Sequence, residues 1–388
     1  MSVEVTVTDT AVDTAIDAID NPIPEKYRHR TLINQRYIFE KKIGSGSFGC
    51  VYRGKNVISG DQVAIKFEAT TTKIPTLLWE SKILNHLAGT QGVVKFRYYG
   101  TESNKNIIVM DLFSHTLYEE IEKIKSGGAT MNIKESASAT ETSTASSPDE
   151  EAIEALRLEQ PHASTHASSS NDGSSGGVGV SQTIHTQGIP SADSIPLLPS
   201  VAPHVKGVVK YLISMIEIIG RIHDAGIVHR DIKPENFMLS SGGSGVGDDK
   251  RLHIIDFGLS RFYMKGDKHL ANTCDKSIVG TMRYISTHIH DGDVYSRRDD
   301  IISIIYVAIY LVKGKLPWMG LVLNKGDART KEELVYIKKV TTTSAELCEG
   351  IPYLFQKILD YSYSLGFEDK PDYSYMMRQC KNYLKLYI

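Results

Sequence analysis

Residues 126–204 constrain what this chain can fold into more than any other stretch. They are dominated by Ser, Ala, Thr, Gly and Pro and carry nine acidic residues against only Lys134 and Arg157. Such a composition buries too little apolar surface to offset the entropy of ordering it, so the stretch is read as disordered. A structureless loop of this length counts against a single domain unless the sequence on its two sides forms one continuous pattern.

Residues 34–113, on the near side, predict a strand-rich lobe. YIFEKKIG, CVYRGKNV and QVAIKFEA alternate apolar and polar positions and are separated by glycine-containing turns. TTKIPTLLWESKILNHLAG predicts a helix, and VVKFRYYG and NKNIIVMDLF return to strand character. A short helix is expected near 117–125. Beyond the tract the chain turns helical from Val208. VVKYLISMIEIIGRIHDAG is apolar on nearly all sides, as a buried helix is, and a second buried helix starts at Asp299. The expected class is α+β: a strand-rich lobe at 34–113, then a helical lobe at 114–388 interrupted at 126–204.

Residues 1–20 hold five acids and no Lys or Arg, without the basic start and apolar centre of a signal peptide, and 1–33 read as a disordered acidic tail. The longest apolar run, Ile301–Val312, is 12 residues, broken by Ser303 and two tyrosines. A bilayer span takes about 20, so no membrane span is expected. Four scattered cysteines fit a reducing compartment, and the chain is placed in the cytoplasm or nucleus. With the two acidic segments set aside, 42 basic residues face 32 acidic ones. That body favours anionic partners. A nucleic-acid-binding reading rests on this charge alone and lacks aromatic or recognition motifs, so no nucleic acid is expected.

The chemistry sits in short motifs. Ile43-Gly44-Ser45-Gly46-Ser47-Phe48-Gly49-Cys50-Val51 places glycines where backbone amides can approach phosphates closely. Alone the run fits a flexible loop equally well; the flanking strands favour the phosphate reading. Val63-Ala64-Ile65-Lys66 ends in a lysine suited to nucleotide phosphates, and Glu80 in the following helix is its expected ion-pair partner. His229-Arg230-Asp231-Ile232-Lys233-Pro234-Glu235-Asn236 is the most specific element. Phosphoryl transfer needs a carboxylate to accept the hydroxyl proton, assigned to Asp231. Asn236 offers an oxygen to a hard cation such as Mg²⁺, and Lys233 offsets charge developing on the γ-phosphate. Asp256-Phe257-Gly258, after an apolar strand, supplies the second metal-binding carboxylate. Met110, Asp111 and Leu112 are expected at the adenine, with Ile43, Val51, Ala64, Met238 and Ile255 around the ring.

Together these motifs join the two sides of the tract into one pattern, that of a protein kinase. KIGSGSFG, VAIKFE, TTKIPTLLWESKIL, HRDIKPENF, HIIDFGLS, SRRDD, LPWMGL and DKPDYSYM resemble the casein kinase I family of Ser/Thr kinases across roughly residues 34–125 and 205–385. Lys233, two residues after Asp231, is similar to Ser/Thr kinases; tyrosine kinases usually carry Ala-Ala-Arg or Arg-Ala-Ala there. The resemblance implies a bilobal kinase fold with a hinge at the end of 34–113. It also implies a monomer using ATP and Mg²⁺, and protein substrates with acidic or phosphorylated residues upstream of the target Ser/Thr. A scaffold of the same fold without catalysis is the alternative; all six catalytic residues being present argues against it.

Most kinases follow Gly-Thr-x-x-Tyr with Ala-Pro-Glu. Here Gly280-Thr281-Met282-Arg283-Tyr284 runs into Ile-Ser-Thr-His. Casein kinase I enzymes carry Ser-Ile-Asn at that point, so Ser286 matches and Thr287-His288 depart. By the same resemblance Arg283 and Lys331 are expected to bind a substrate anion, with Lys276 a third candidate. Asp300 in Arg297-Arg298-Asp299-Asp300 is expected to cap and orient the catalytic loop. SSPDEEAIEALRLE within the tract is read either as an inert linker or as a segment that occupies the chain's own basic substrate groove.

Overall fold

The computed structural model describes residues 33–46, 49–72, 75–127, 202–240, 251–273, 278–323 and 328–386. The chain divides into two compact units, residues 1–115 with 238–258, and residues 116–237 with 259–388. Residues 1–32 of the expected acidic tail and nearly all of the low-complexity tract lie outside the described residues, whereas Ile33, the last residue assigned to the tail, is buried in the first unit.

The first unit is built on a five-stranded antiparallel sheet in the order β1-β2-β3-β5-β4. Its strands are β1 (Tyr37–Gly46), β2 (Gly49–Asn56), β3 (Gln62–Ala69), β4 (Phe96–Glu102) and β5 (Lys105–Asp111), with helix α1 (Thr76–His86) between β3 and β4. Alternation sets the layers. Val63 and Ile65 of β3 and Ile107 and Val109 of β5 bury one face with Ile33 and Tyr37. Ala64, Lys66 and Glu68 leave β3 on the other face. On α1, Leu77, Glu80, Ile83 and Leu84 are buried, while Trp79 is 38% exposed. The segment 238–258 belongs to this unit because the Ile254 amide donates to Gly92 O at 2.8 Å and the Val94 amide to Ile254 O at 3.1 Å.

Of the predicted glycine loop, Gly49 has the firmest backbone reason. Its φ is +132°, and an added Cβ would lie 1.9 Å from Phe67 O. The close approach of β2 to β3 demands glycine there, independently of any ligand. Residues 47 and 48 lie outside the described residues, as do the side chains of Ser45 and Gly46.

The second unit is helical: α2 (Leu117–Lys125), α3 (Pro203–Asp224), α4 (Thr287–His290), α5 (Arg297–Lys313), α6 (Lys331–Thr341), α7 (Ser344–Leu347), α8 (Tyr353–Ser364) and α9 (Tyr373–Lys385). α5 is buried almost all round from Arg298 to Ile309, as its long apolar run predicts. α3 is not. Val208, Val209, Leu212, Met215, Ile216, Ile219 and Ile222 make one buried face, while Tyr211, Ile213 and Glu217 are only partly covered. Its apolar excess therefore exceeds its burial. No helix among the described residues is long and apolar enough to cross a membrane.

Candidate active site

In the first unit, the lysine that ends VAIK makes two bonds. Lys66 Nζ lies 2.8 Å from Glu80 Oε2 and 3.0 Å from Asp256 Oδ1. Burial works against the charge on Lys66, but the carboxylates of Glu80 and Asp256 outweigh it and hold the ammonium well above its usual range. The second oxygen of Glu80 accepts from the Phe257 amide at 3.3 Å. One helix carboxylate thus orients both the lysine and the Asp-Phe-Gly turn. Asp256 adopts φ +63°, a left-handed conformation that this turn imposes on a residue with a side chain. Its carboxylate keeps 25% exposure.

The residues expected around an adenine also fall in this unit. Ala64 and Met110 are paired across β3 and β5, and both are buried. Val51 stands opposite Lys66 across β2 and β3. Ile43 is 46% exposed. Met238 and Ile255 are partly buried, and Phe113, just past Leu112, packs its ring on His253. Asp111 is already engaged: its amide donates to Lys95 O at 3.1 Å and its carboxylate accepts from Arg97 Nε at 2.6 Å. Any contribution of Asp111 to a nucleotide falls to its carbonyl.

In the second unit, Asp231 is 4% exposed and gathers three donors. Thr281 Oγ1 donates to Oδ1 at 2.7 Å. Lys233 Nζ lies 2.5 Å from Oδ2, and Asn236 Nδ2 lies 3.3 Å from the same oxygen. Asn236 Nδ2 also donates to the Asp231 carbonyl at 2.8 Å. The amide nitrogen of Asn236 is thereby turned toward Asp231, leaving its carboxamide oxygen out of those bonds.

The loop carrying these groups is held from below. Asp300 is fully buried, and its carboxylate accepts from the His229 amide (2.7 Å), the Arg230 amide (2.9 Å) and His223 Nε2 (3.0 Å). Burial alone would raise its pKa, yet the hydrogen bond from His223, with His229 and its amide beside it, holds it below the usual carboxylate range. Arg230 sits at φ +71°, a strained conformation that the Asp300 bond fixes. Asp300 orients the loop as expected. The helix cap, however, belongs to its neighbour: Asp299 forms a capping box with Ser296 and also accepts from Ser286 Oγ at 2.6 Å. Gly280 (φ +99°) closes against this loop, where an added Cβ would lie 2.5 Å from Arg230 O.

Two further residues were given no role by the sequence. Thr281 is one, through its bond to Asp231. Lys339 on α6 is the other. It is 3% exposed, and its Nζ donates to the carbonyls of Met282 and Ile285 at 2.7 Å each, over the rings of Trp318 and Tyr306. The segment after Gly280-Thr281 is thus fastened by a lysine nitrogen on its backbone, and burial pushes that lysine down to about 7. Arg283, between those carbonyls, lies over the rings of Tyr284 and Tyr310, each 5.8 Å away. Its own carbonyl accepts from Trp318 Nε1 at 2.8 Å. Lys331 opens α6 and is exposed, eight residues or about 12 Å along the helix from Lys339. Among the described residues neither Arg283 nor Lys331 is in an ion pair. Lys276 lies outside the described residues.

A family model described as protein kinase domain matches residues 37–143 and 201–365. The match breaks off within the low-complexity tract, at 143, resumes at 201 near its end, and takes in both groups of residues described above.

Proposed function

Because this chain belongs to the protein kinase family, and so to ATP-using phosphotransferases, we propose that it is an active Ser/Thr kinase of casein kinase I type. In this reading it moves the ATP γ-phosphate to Ser or Thr in acidic or phospho-primed proteins. The observation that carries the proposal is the cluster on Asp231, with Thr281, Lys233 and Asn236 within hydrogen-bond reach and Asp300 beneath.

Each side chain has a defined task. Asp231 accepts the proton of the attacking hydroxyl at its carboxylate and aims that oxygen at phosphorus. Lys233, held beside Asp231 Oδ2, carries the positive charge that offsets charge developing on the γ-phosphate during transfer. Lys66, fixed by Glu80, presents its ammonium to the α/β-phosphates. Asp256, with a partly exposed carboxylate, and Asn236, with a carboxamide oxygen outside its hydrogen bonds, are each assigned as a ligand of a hard cation. Mg²⁺, when bound, would supply charge neutralisation on the phosphate oxygens. Arg283 and Lys331, which are in no ion pair among the described residues, are assigned to the acidic or phosphorylated residue of the substrate by charge-assisted hydrogen bonds. We further propose that the protein works as a monomer in the cytoplasm or nucleus.

The test is a peptide-array assay with ATP and Mg²⁺, with and without an upstream phosphoserine, on wild type and Asp231→Asn. Transfer that rises with priming and vanishes in Asp231→Asn supports the reading. Asp231→Asn at full activity refutes the mechanism. Nucleotide binding without transfer by the wild type would mean a catalytically silent scaffold.

A further inference from the structure

Helix α1 carries Glu80 yet does not cap its own first turn. Its N-cap is Pro75, which makes no side-chain cap bond, and no acidic residue lies in that turn. The exposed amides of a helix start need acceptors, and here a strand provides them. Glu68 on β3, 3% exposed, accepts through Oε1 from the Thr76 amide (2.8 Å) and hydroxyl (3.0 Å). Its Oε2 faces the Leu77 amide (3.5 Å) and Asn106 Nδ2 (3.2 Å). Residues 66 and 68 leave β3 on the same face. β3 therefore holds α1 twice: at the first turn through Glu68, and one turn later through Lys66 and Glu80 at 2.8 Å.

A buried carboxylate is costly unless its oxygens are satisfied. Two helix amides, a hydroxyl and a carboxamide satisfy this one, and the positive end of the helix favours its charge. A local cap such as Ser or Asp at position 75 would serve the helix equally well but would leave its angle to β3 free. A cap borrowed from β3 ties the helix start to the strand that bears Lys66.

We propose that Glu68 is a positioning residue for phosphoryl transfer, a strand-borne cap that seats α1 with Glu80 on Lys66. This rests on the kinase reading above.

The experiment compares wild type, Glu68→Ala, and Glu68→Ala combined with Pro75→Asp. Pro75 has the extended backbone of an N-cap (φ −74°, ψ 102°), so Asp there can cap the helix without touching β3. Amide hydrogen exchange over 76–86 reads the helix in every variant, whether or not the protein proves to be a kinase. Wild-type transfer to peptide tests the kinase reading by itself. Glu68→Ala is expected to speed exchange in the first turn about tenfold, the scale of a lost cap. It should also lower kcat/KM for ATP about tenfold or more, with the peptide KM within about twofold. Pro75→Asp is expected to restore exchange protection but only part of the ATP kinetics. Full recovery of both would mean that Glu68 is an ordinary cap, and wild-type exchange and kinetics in Glu68→Ala would overturn the proposal outright. If Glu68→Ala fails to fold, Glu68→Gln keeps one acceptor and should show the same two changes at smaller size; unchanged values there overturn it equally.

Discussion

Replacing Asp300 by Asn tests how the catalytic loop is held. The carboxylate takes three donors, two backbone amides and His223 Nε2, in a fully buried setting. A carboxamide has one accepting end. If its oxygen faces His229 and His223, its NH₂ meets the Arg230 amide; turned around, it meets the other two donors. Either way at least one buried donor loses its acceptor, and the charge-assisted character of the rest is lost. Each such bond contributes about 1.5–3 kcal/mol and each buried unsatisfied donor costs about 1–3 kcal/mol. Asp300→Asn should therefore destabilise the protein by about 3–5 kcal/mol, measured by urea unfolding of both proteins at pH 7.5. Activity should fall further than folding. Arg230 at φ +71° loses the bond that fixes it, and about 3 kcal/mol of loop misplacement is roughly two decades in kcat. KM for ATP should change by less than about threefold, because the Lys66–Glu80–Asp256 group makes no use of Asp300. The sign with pH follows from the lowered pKa of Asp300. Its stabilisation is present above the unfolded value near 3.9 and is lost as pH falls through the lower folded one, so the gap between wild type and variant should close on acidification. A variant within about 1 kcal/mol of wild type, or with wild-type kcat, would refute the reasoning.

Arg283→Ala should raise the KM of a primed peptide about tenfold and leave that of an unprimed one within about twofold; equal effects on both would remove Arg283 from the anion site. Lys339→Met leaves two backbone carbonyls without their donor and should cost about 2–3 kcal/mol in urea unfolding, with a raised KM for peptide but not for ATP. His290 is held neutral mainly by burial, with Lys339 adding to it, down to about 3. Between pH 6.5 and that value the unfolded chain binds more protons, so stability is lost as pH falls. His290→Gln should therefore gain about 1 kcal/mol on wild type between pH 7.5 and pH 5, after allowance for its partial exposure. No relative gain in paired melts at the two pH values would show that His290 does not titrate this way.

The fold was legible, and the residues of the candidate site could be named, because both are written in local patterns. Alternation along β3 and β5, the long apolar run of α5, and the short motifs around Lys66, Asp231 and Asp256 each depend on residues close in sequence. What was not legible depends on distant partners. Thr281 reaches Asp231 across 50 positions, and Lys339 reaches Met282 across 57. A threonine after glycine or a second lysine in Lys338-Lys339 gives no local sign of such a role. Glu68 looked like the polar end of an alternating strand, since nothing nearby tells that a helix start will come to rest on it. Asp299 and Asp300 are adjacent acids at a helix start. Only the structure separates the one that caps the helix from the one that holds the loop. For α3 the apolar pattern overstated burial, because hydrophobicity does not say how many faces find a neighbour.

The protein contains two tryptophans, and they are divided one to each unit. Trp79 stands next to Glu80 on α1 and is 38% exposed; Trp318 is 3% exposed, with its indole N–H on the Arg283 carbonyl. Their emission should differ in colour, the exposed indole to the red of the buried one. Trp318→Phe leaves a native optical reporter beside the lysine–glutamate pair, and Trp79→Phe leaves one under the substrate segment. Nucleotide and peptide titrations can then be followed on separate halves of the chemistry with no attached dye.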